Sequence, residues 1–246
     1  SMGITQHVCG ADTVRAIANL ALTQEYVGRT GCGLMPIRGH SGVQGGAEMG
    51  AYANVLPGGV AADEAGAAQF SDLWGFEVPT RVGKTTVEVL QAAEAGELDA
   101  LYSVGGNFLE TLPEPERVEQ ALGNIPLRVH TDLILNTQAL VEPAEVMYLL
   151  PSQTRYEQEG GGTETTTERR VIFSPEIPRQ VGEARTEWRM FIDLARAVRP
   201  DDYDAIHFTD SAAIREDIGR CVPFYAGIAA LKEMGEQFQW GGPRLR

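Results

Sequence analysis

Thiols are scarce in this chain. Of 246 residues only Cys9, Cys32 and Cys221 carry one, and an odd, widely spaced trio supplies neither a disulfide framework nor a CxxC metal motif. Basic residues are the minority charge, 20 Lys and Arg against 34 Asp and Glu, for a formal net charge of −14. A protein that neutralises phosphates needs clustered cations, so this composition argues against a nucleic-acid partner and disfavours an anionic membrane surface. The sequence contains no apolar run of the roughly 18 residues that would span a bilayer. It also lacks a basic stretch leading into an apolar one at its start, the mark of an export signal. With few thiols and no such signal, a reducing cytoplasm is the expected compartment. None of the histidines, His7, His40, His130 and His207, forms an i, i+4 pair, so no metal is expected on this chain's own side chains. A GxGxxG opening a helix and a full GxxxxGKS or GxxxxGKT loop are missing too, which removes ordinary dinucleotide and P-loop readings.

What the sequence does have is 43% hydrophobic residues and 28 glycines, ample for a globular core. Residues 1–246 read as one cofactor-binding α/β domain in three stretches. In residues 1–84, Val14, Ile17, Ala18 and Ala21 fall on one face of a helix expected from Cys9 to about Val27. A long glycine-rich loop follows, ordered by Leu34, Ile37, Val43, Met49 and Tyr52.

In residues 85–151 helical and extended patterns alternate as successive βαβ units. Strands are expected at Ala100 to Val104, Leu127 to His130 and Val146 to Leu150. Helices are expected from about Val87 to the stop at Gly96, from Pro113 to Leu122 and, briefly, around Thr137 to Val141. Short apolar strands without strict alternation suggest burial on both faces, hence a Rossmann-like three-layer sandwich with a mostly parallel sheet. In residues 152–246 the Thr-, Glu- and Gly-rich run ending in VIF reads as a small β excursion on the sheet's edge. It is followed by an amphipathic helix from Thr186 to Val198 and shorter ones at Ser211 to Arg220 and Tyr225 to Met234.

Ligands of open α/β sheets sit outside the carboxyl ends of the strands. Those places are Gly105-Gly106-Asn107, Thr131-Asp132 and Ser152. Adjacent glycines let backbone N–H groups approach a phosphate, and a strand-end Asp accepts from a ribose hydroxyl or a guanine N–H pair. On spacing alone, a GG turn that merely connects strand to helix is the commoner case. Arg38 suits an anion because a planar guanidinium grips a carboxylate bidentately, and the imidazole of His40 exchanges a proton near neutral pH. For both, a solvated surface position is the ordinary alternative. Glu157, Glu159, Glu164 and Glu168 read as a solvated acidic loop rather than a carboxylate pair.

The segments MGITQH, GCGLMPIRGHSGVQGGAEMG, VGGN, HTD and YLLPSQTRYEQEGGGTETTTERR occur in this order. Together they resemble the molybdopterin oxidoreductase family over nearly the whole chain, most closely its formate-dehydrogenase-like branch of catalytic alpha subunits. The resemblance implies a molybdenum or tungsten ion held by two molybdopterin guanine dinucleotides, with a 4Fe-4S cluster outside this chain. It implies that Met2 and Gln6 contact the pterin. Asn107, Thr131 and Asp132 would line one guanine-dinucleotide pocket, with Gly106 and Ser152 beside them at the strand ends.

Gln158 and Glu187 stand where the family also binds cofactor, although it more often carries Lys or His at the first and Asp at the second. Arg38 matches the arginine that holds the substrate carboxylate, and His40 occupies a position that is usually Gln. The family's Cys or selenocysteine ligand, its cluster cysteines, its other dinucleotide domain and its C-terminal barrel-like domain have no counterpart. The sequence therefore reads as an internal fragment, inactive alone, whose partners are the remaining domains of its polypeptide, electron-transfer subunits and a small anionic substrate. The competing reading is an autonomous non-catalytic α/β module that binds a nucleotide or a protein. A hydrolase using Glu residues or Cys32 is a weaker one.

Overall fold

The structure, a computed structural model, describes residues 2–241; Met2 is described by its backbone alone, so its expected pterin contact lies outside the described side chains. The helices are α1 (Met2–Thr5), α2 (Gly10–Thr23), α3 (Val43–Glu48), α4 (Glu64–Trp74), α5 (Thr86–Glu94), α6 (Phe108–Thr111), α7 (Pro115–Gly123), α8 (Glu187–Val198), α9 (Tyr203–Ile206) and α10 (Ser211–Cys221). The strands are β1 (Val55–Leu56), β2 (Val60–Ala61), β3 (Ala100–Val104), β4 (Leu127–Asp132), β5 (Val146–Pro151), β6 (Gly162–Thr165), β7 (Arg170–Ser174) and β8 (Gln237–Gln239). The described residues of Ser1–Val60, Gly162–Pro175 and Ala212–Arg246 form one compact unit, and those of Ala61–Gly161 and Glu176–Ser211 form another.

The second unit holds the parallel sheet, in the order β3-β4-β5. Leu101 pairs with Arg128, Val104 with Thr131 and Thr131 with Leu150. On one face Ala93, Val118, Ala121, Leu122, Ile125 and Val141 form a buried cluster that Leu98, Leu101 and Phe108 complete. The helices there start where the sequence directs. Thr85 and Glu88 close a reciprocal capping box on α5, and α7 opens with Pro115, whose missing N–H is no loss in a first turn. On the other face α8 lays Met190 against Tyr102 and Thr131. The Tyr102 and Phe191 rings stand 5.4 Å apart. Helix, sheet and helix thus make three layers, the α/β architecture that the alternating patterns predict.

Burial on both faces holds for β4, whose Arg128, His130 and Thr131 are buried, and fails for β5. Tyr148 is 56% and Leu149 49% exposed, because β5 is an edge strand with a neighbour on one side only. Buried Arg128 donates from Nη1 to the Val141 carbonyl (2.8 Å) and from Nη2 to the Gln138 carbonyl (2.6 Å); burial pulls its pKa below the usual guanidinium range.

In the first unit β6, β7 and β8 form their own antiparallel sheet, with Thr165 opposite Val171 and Val171 opposite Phe238. The expected excursion is therefore a separate sheet and not an edge of the parallel one, since the C-terminal β8 completes it. The expected helix from Tyr225 to Met234 is replaced by 3-10 turns at Pro223–Tyr225 and Ile228–Ala230. Pro223 supplies no N–H, and Tyr225 is drawn into a buried network. Its hydroxyl meets Thr165 Oγ1 at 2.7 Å and also reaches Glu48, which accepts from Trp240 Nε1 at 3.2 Å. Burial, with Glu48 alongside, pushes the Tyr225 hydroxyl pKa up.

Helix α4 was not expected; its signals are the Asp63 cap, which accepts from Gly66 N at 2.9 Å, and Gly75 at its end. Helix α2 stops at Thr23, short of Val27. Its residues Val14, Ile17 and Ala18 line an apolar groove of about 340 Å³ with Leu34, Met35 and Ile37. Among the described residues no helix is long and apolar enough to cross a membrane.

Two predictions concern stability. Arg128→Lys keeps the charge but loses the fork that serves two carbonyls; urea unfolding followed by circular dichroism should show a loss of about 1–3 kcal/mol. His130 is 3% exposed, and burial lowers its pKa against the opposing pull of Asp132, while Arg128 lowers it further. A depressed histidine contributes stability that is complete above its unfolded pKa of about 6.5 and is lost as pH falls toward the folded value. Stability should therefore decline from about pH 7 to pH 5, and His130→Gln should flatten that decline. A slope unchanged in the variant would exclude His130 as its source.

Candidate functional site

Parallel pairing brings the carboxyl ends of β3, β4 and β5 to one edge. The ladder continues one residue beyond the strands: Gly105 N donates to the Thr131 carbonyl (2.7 Å) and Ser152 N to the Asp132 carbonyl (3.0 Å). Gly105 and Gly106 then turn the chain at φ 67° and 77°, the left-handed region that favours glycine. A Cβ on either would meet nothing within 4 Å, so backbone conformation and not lack of room calls for glycine.

Asn107 caps α6. Its Oδ1 accepts from Glu110 N at 3.3 Å, and its Nδ2 donates to Thr137 Oγ1 at 2.8 Å. Asp132 accepts from Leu133 N at Oδ1 (2.7 Å) and from Asn136 Nδ2 at Oδ2 (2.9 Å). His130 Nε2 lies 3.5 Å from the same carboxylate, while its Nδ1 is buried without a hydrogen-bond partner. Oδ1 of Asp132 is thereby anchored by one internal donor and retains capacity for another, while Oδ2 faces both Asn136 and His130.

Thr131 stands differently from its neighbours. It is fully buried, and its hydroxyl lies 3.1 Å from the Tyr102 hydroxyl and near Met190. At the strand-end edge the Thr131 carbonyl is taken by Gly105 N, and its side chain belongs to the layer under α8. Ser152 is also buried; its hydroxyl donates to the Gln153 carbonyl at 3.2 Å, and its backbone bridges Arg185 in parallel.

Beyond β5 lies a polar pocket of about 590 Å³. Gln153, Glu157 and Glu159 line it from one segment, and Arg179, Arg185, Thr186 and Arg189 from another. Gln158 lies between two lining residues and Glu187, the first residue of α8, follows a third. Arg189 pairs with Glu159 at 2.6 Å, Arg179 with Glu157 at 4.0 Å and Arg185 with Asp193 at 2.9 Å. The Thr154 backbone N–H and hydroxyl hold the Glu157 carboxyl below its usual range, and Arg179 adds to this. Thr186 Oγ1 is buried without a hydrogen-bond partner, as is Trp188 Nε1, and a native fold rarely leaves such atoms unmatched unless a ligand or water meets them.

The other expected residues belong to the first unit. Residues 31–40 are exposed throughout, Arg38 and His40 included, and the His40 carbonyl accepts from Val43 N at 3.4 Å, next to the start of α3. Gln6 is an exposed residue just after α1. Among the described residues no group of three or more His, Cys, Asp or Glu is arranged to hold a metal ion. The second unit thus links Gly106 and Asp132 through Asn136, and Asn107 through the adjacent Thr137, while Ser152, Gln158 and Glu187 lie beyond β5 in the chain. Sequence reasoning missed Asn136, Thr137 and Gln138, which bind the turn after β3, and missed the Thr186 hydroxyl. The available signal was an Asn-Thr-Gln run at the head of a short turn, where such residues cap.

The sequence model of the molybdopterin oxidoreductase family matches residues 1–197. The chain is 31% identical over 242 residues to the probable oxidoreductase YjgC of Bacillus subtilis, covering 98% of this chain and 24% of that protein. It is 32% identical over 228 residues to the F420-dependent formate dehydrogenase 1 subunit alpha of Methanococcus maripaludis, covering 92% of this chain and 32% of that protein. With formate dehydrogenase H of Escherichia coli it shares 29% identity over 243 residues, 97% of this chain and 32% of that protein. The chain spans about a quarter to a third of the length of these relatives. With strand ends, polar pocket and family match falling on the same stretch of sequence, the chain belongs to the molybdopterin oxidoreductase family.

Proposed function

We propose that this chain is part of a longer molybdenum or tungsten oxidoreductase of formate-dehydrogenase type. In it the chain supplies one guanine-dinucleotide pocket of a bis-molybdopterin guanine dinucleotide cofactor and the arginine that holds the substrate carboxylate. The observation that carries the reading is the strand-end edge, where the Gly106 turn, the anchored Asp132 carboxylate and the pocket with the unmatched Thr186 hydroxyl follow successive strands of one parallel sheet.

The residues fit a large nucleotide-bearing group. Asp132 offers acceptor capacity for paired N–H donors, the Gly105-Gly106 turn lets backbone approach a phosphate, and Thr186 offers a hydroxyl. Gln158 and Glu187 are sequence neighbours of residues that line the pocket and are assigned to the cofactor by the family resemblance, as Met2 and Gln6 are to its pterin part. The bound group would supply two-electron redox chemistry at its metal, with the electrons leaving through a 4Fe-4S cluster outside this chain.

This chain's own side chains bind and orient. Arg38 grips a small carboxylate with two parallel N–H donors, and His40, two residues on, exchanges the proton released as formate is oxidised. Formate leads among small anions because relatives whose names state a substrate are formate dehydrogenases, and a guanidinium fork suits its carboxylate. The remaining domains of the same polypeptide supply the metal ligand and close the site, and electron-transfer subunits are the further partners.

Asp132→Ala in the full-length enzyme should lower molybdenum or tungsten and pterin content about tenfold, the consequence of losing a charge-assisted contact of about 1.5 kcal/mol. Arg38→Ala should leave that content intact and lower kcat/KM for formate roughly 10–100-fold. Elemental analysis and steady-state kinetics on both variants test the separation, and equal metal loss in the two would remove it. The 246-residue chain alone should show no formate oxidation; any turnover by the purified chain with an artificial electron acceptor counts against the reading.

A further inference from the structure

We infer that Asn136 is a positioning residue that fixes the strand-end edge between Gly106 and Asp132, an inference that rests on the guanine-dinucleotide reading of that edge. Its single amide nitrogen joins two loops that leave different strands: Nδ2 donates to the Gly106 carbonyl at 3.0 Å, after β3, and to Asp132 Oδ2 at 2.9 Å, at the end of β4. The next two side chains bind the same turn. Thr137 Oγ1 accepts from Asn107 Nδ2 at 2.8 Å. Gln138 Oε1 accepts from Phe108 N at 2.5 Å while its Nε2 donates to Ser103 Oγ at 3.2 Å. Three consecutive side chains thus engage three consecutive residues of the turn after β3.

The turn that carries them is itself fixed. Thr137–Leu140 is a 3-10 turn capped by Asn136 Oδ1, which accepts from Ala139 N at 3.2 Å. Gln138 is 1% exposed. The Arg128 guanidinium holds the turn's far end through the Gln138 and Val141 carbonyls. Asn136 therefore has two separable jobs on one side chain: its oxygen caps the turn, and its nitrogen sets the spacing and orientation of Asp132 against the Gly106 turn. A carboxylate whose rotamer is set before the ligand arrives loses less freedom on binding, and that is what the nitrogen contributes. The ligand class served is one with paired N–H or O–H donors for Asp132, as a purine base or ribose presents.

Asn136→Asp separates the jobs, because it keeps the capping oxygen and removes the donor. In the full-length enzyme it should lower metal and pterin content about tenfold, close to the effect of Asp132→Ala measured in parallel. In the 246-residue chain, amide hydrogen exchange at Gly105 and Phe108, whose N–H groups are hydrogen-bonded on either side of the Gly106 turn, should quicken about tenfold while the thermal midpoint stays within a few degrees. Normal cofactor content in Asn136→Asp together with reduced content in Asp132→Ala overturns the inference and leaves the pocket reading standing. Normal content in both variants removes the pocket reading and the inference with it. If the new carboxylate beside Asp132 unfolds the chain, Asn136→Ser, which keeps a capping oxygen without adding charge, replaces it. Reduced content in a folded Asn136→Ser enzyme supports the inference, and full content overturns it.

Discussion

The constraint on which the rest depends is the parallel pairing of β3, β4 and β5. Because all three strands run the same way and are in register from Ala100, Leu127 and Val146, their chain ends emerge side by side. The loops that follow must then share one edge. An antiparallel arrangement of the same strands would have sent Gly106 and Asp132 to opposite ends of the sheet, some 17–20 Å apart for strands of this length. Pairing that persists through Gly105 N and Ser152 N places the loops at matching heights, so a ligand meets backbone and side-chain groups from neighbouring strands without any one loop reaching far.

The sheet face beneath this edge is unusually polar. Ser103, Arg128 and His130 occupy alternate positions of β3 and β4, paired in register as Leu101 with Arg128 and Ser103 with His130. Burying a guanidinium is costly unless its N–H groups find acceptors, and here the acceptors are the Gln138 and Val141 carbonyls. Aliphatic side chains would fill the same volume at less cost. They would leave the 3-10 turn held by packing alone, which tolerates sliding in a way that directed hydrogen bonds do not. The polar core and the strand-end site are in this sense one construction: Arg128 holds the turn, the turn holds the Gly106 loop, and Asn136 joins that loop to Asp132.

Sequence patterns carried the sheet well. Ala100 to Val104 and Val146 to Pro151 stand out because short apolar runs end at Gly-Gly or Pro, and a capping residue or Pro marks the start of α5 and α7. Thr131 shows what patterns omit. Its neighbour Asp132 is only partly buried while Thr131 is fully buried, and the difference follows from the two-residue repeat of the strand together with the packing of α8, which lies some 55 residues later in the chain. Asn136 escaped because its importance lies in where a 3-10 turn returns, a tertiary fact with no periodic signature. The helix expected from Tyr225 failed for a related reason. Local propensity favoured it, while Thr165 and Glu48, both distant in sequence, supplied the buried partners that took Tyr225 instead.

The charge balance also takes on a different sense once the pocket is in view. A net −14 repels a polyanion, whose many phosphates sample the whole surface, yet a single pyrophosphate samples only a few ångströms of it. Charges farther than the Debye length of about 8 Å are largely screened at physiological salt. Around the polar pocket Arg179, Arg185 and Arg189 each face a carboxylate, which leaves the local field near balance. On the reading proposed above, discrimination falls to directed donors and acceptors, the backbone N–H groups of a glycine turn and the fixed oxygens of Asp132. Repulsion is then spread over the surface, and the proposed recognition is confined to one edge of a sheet.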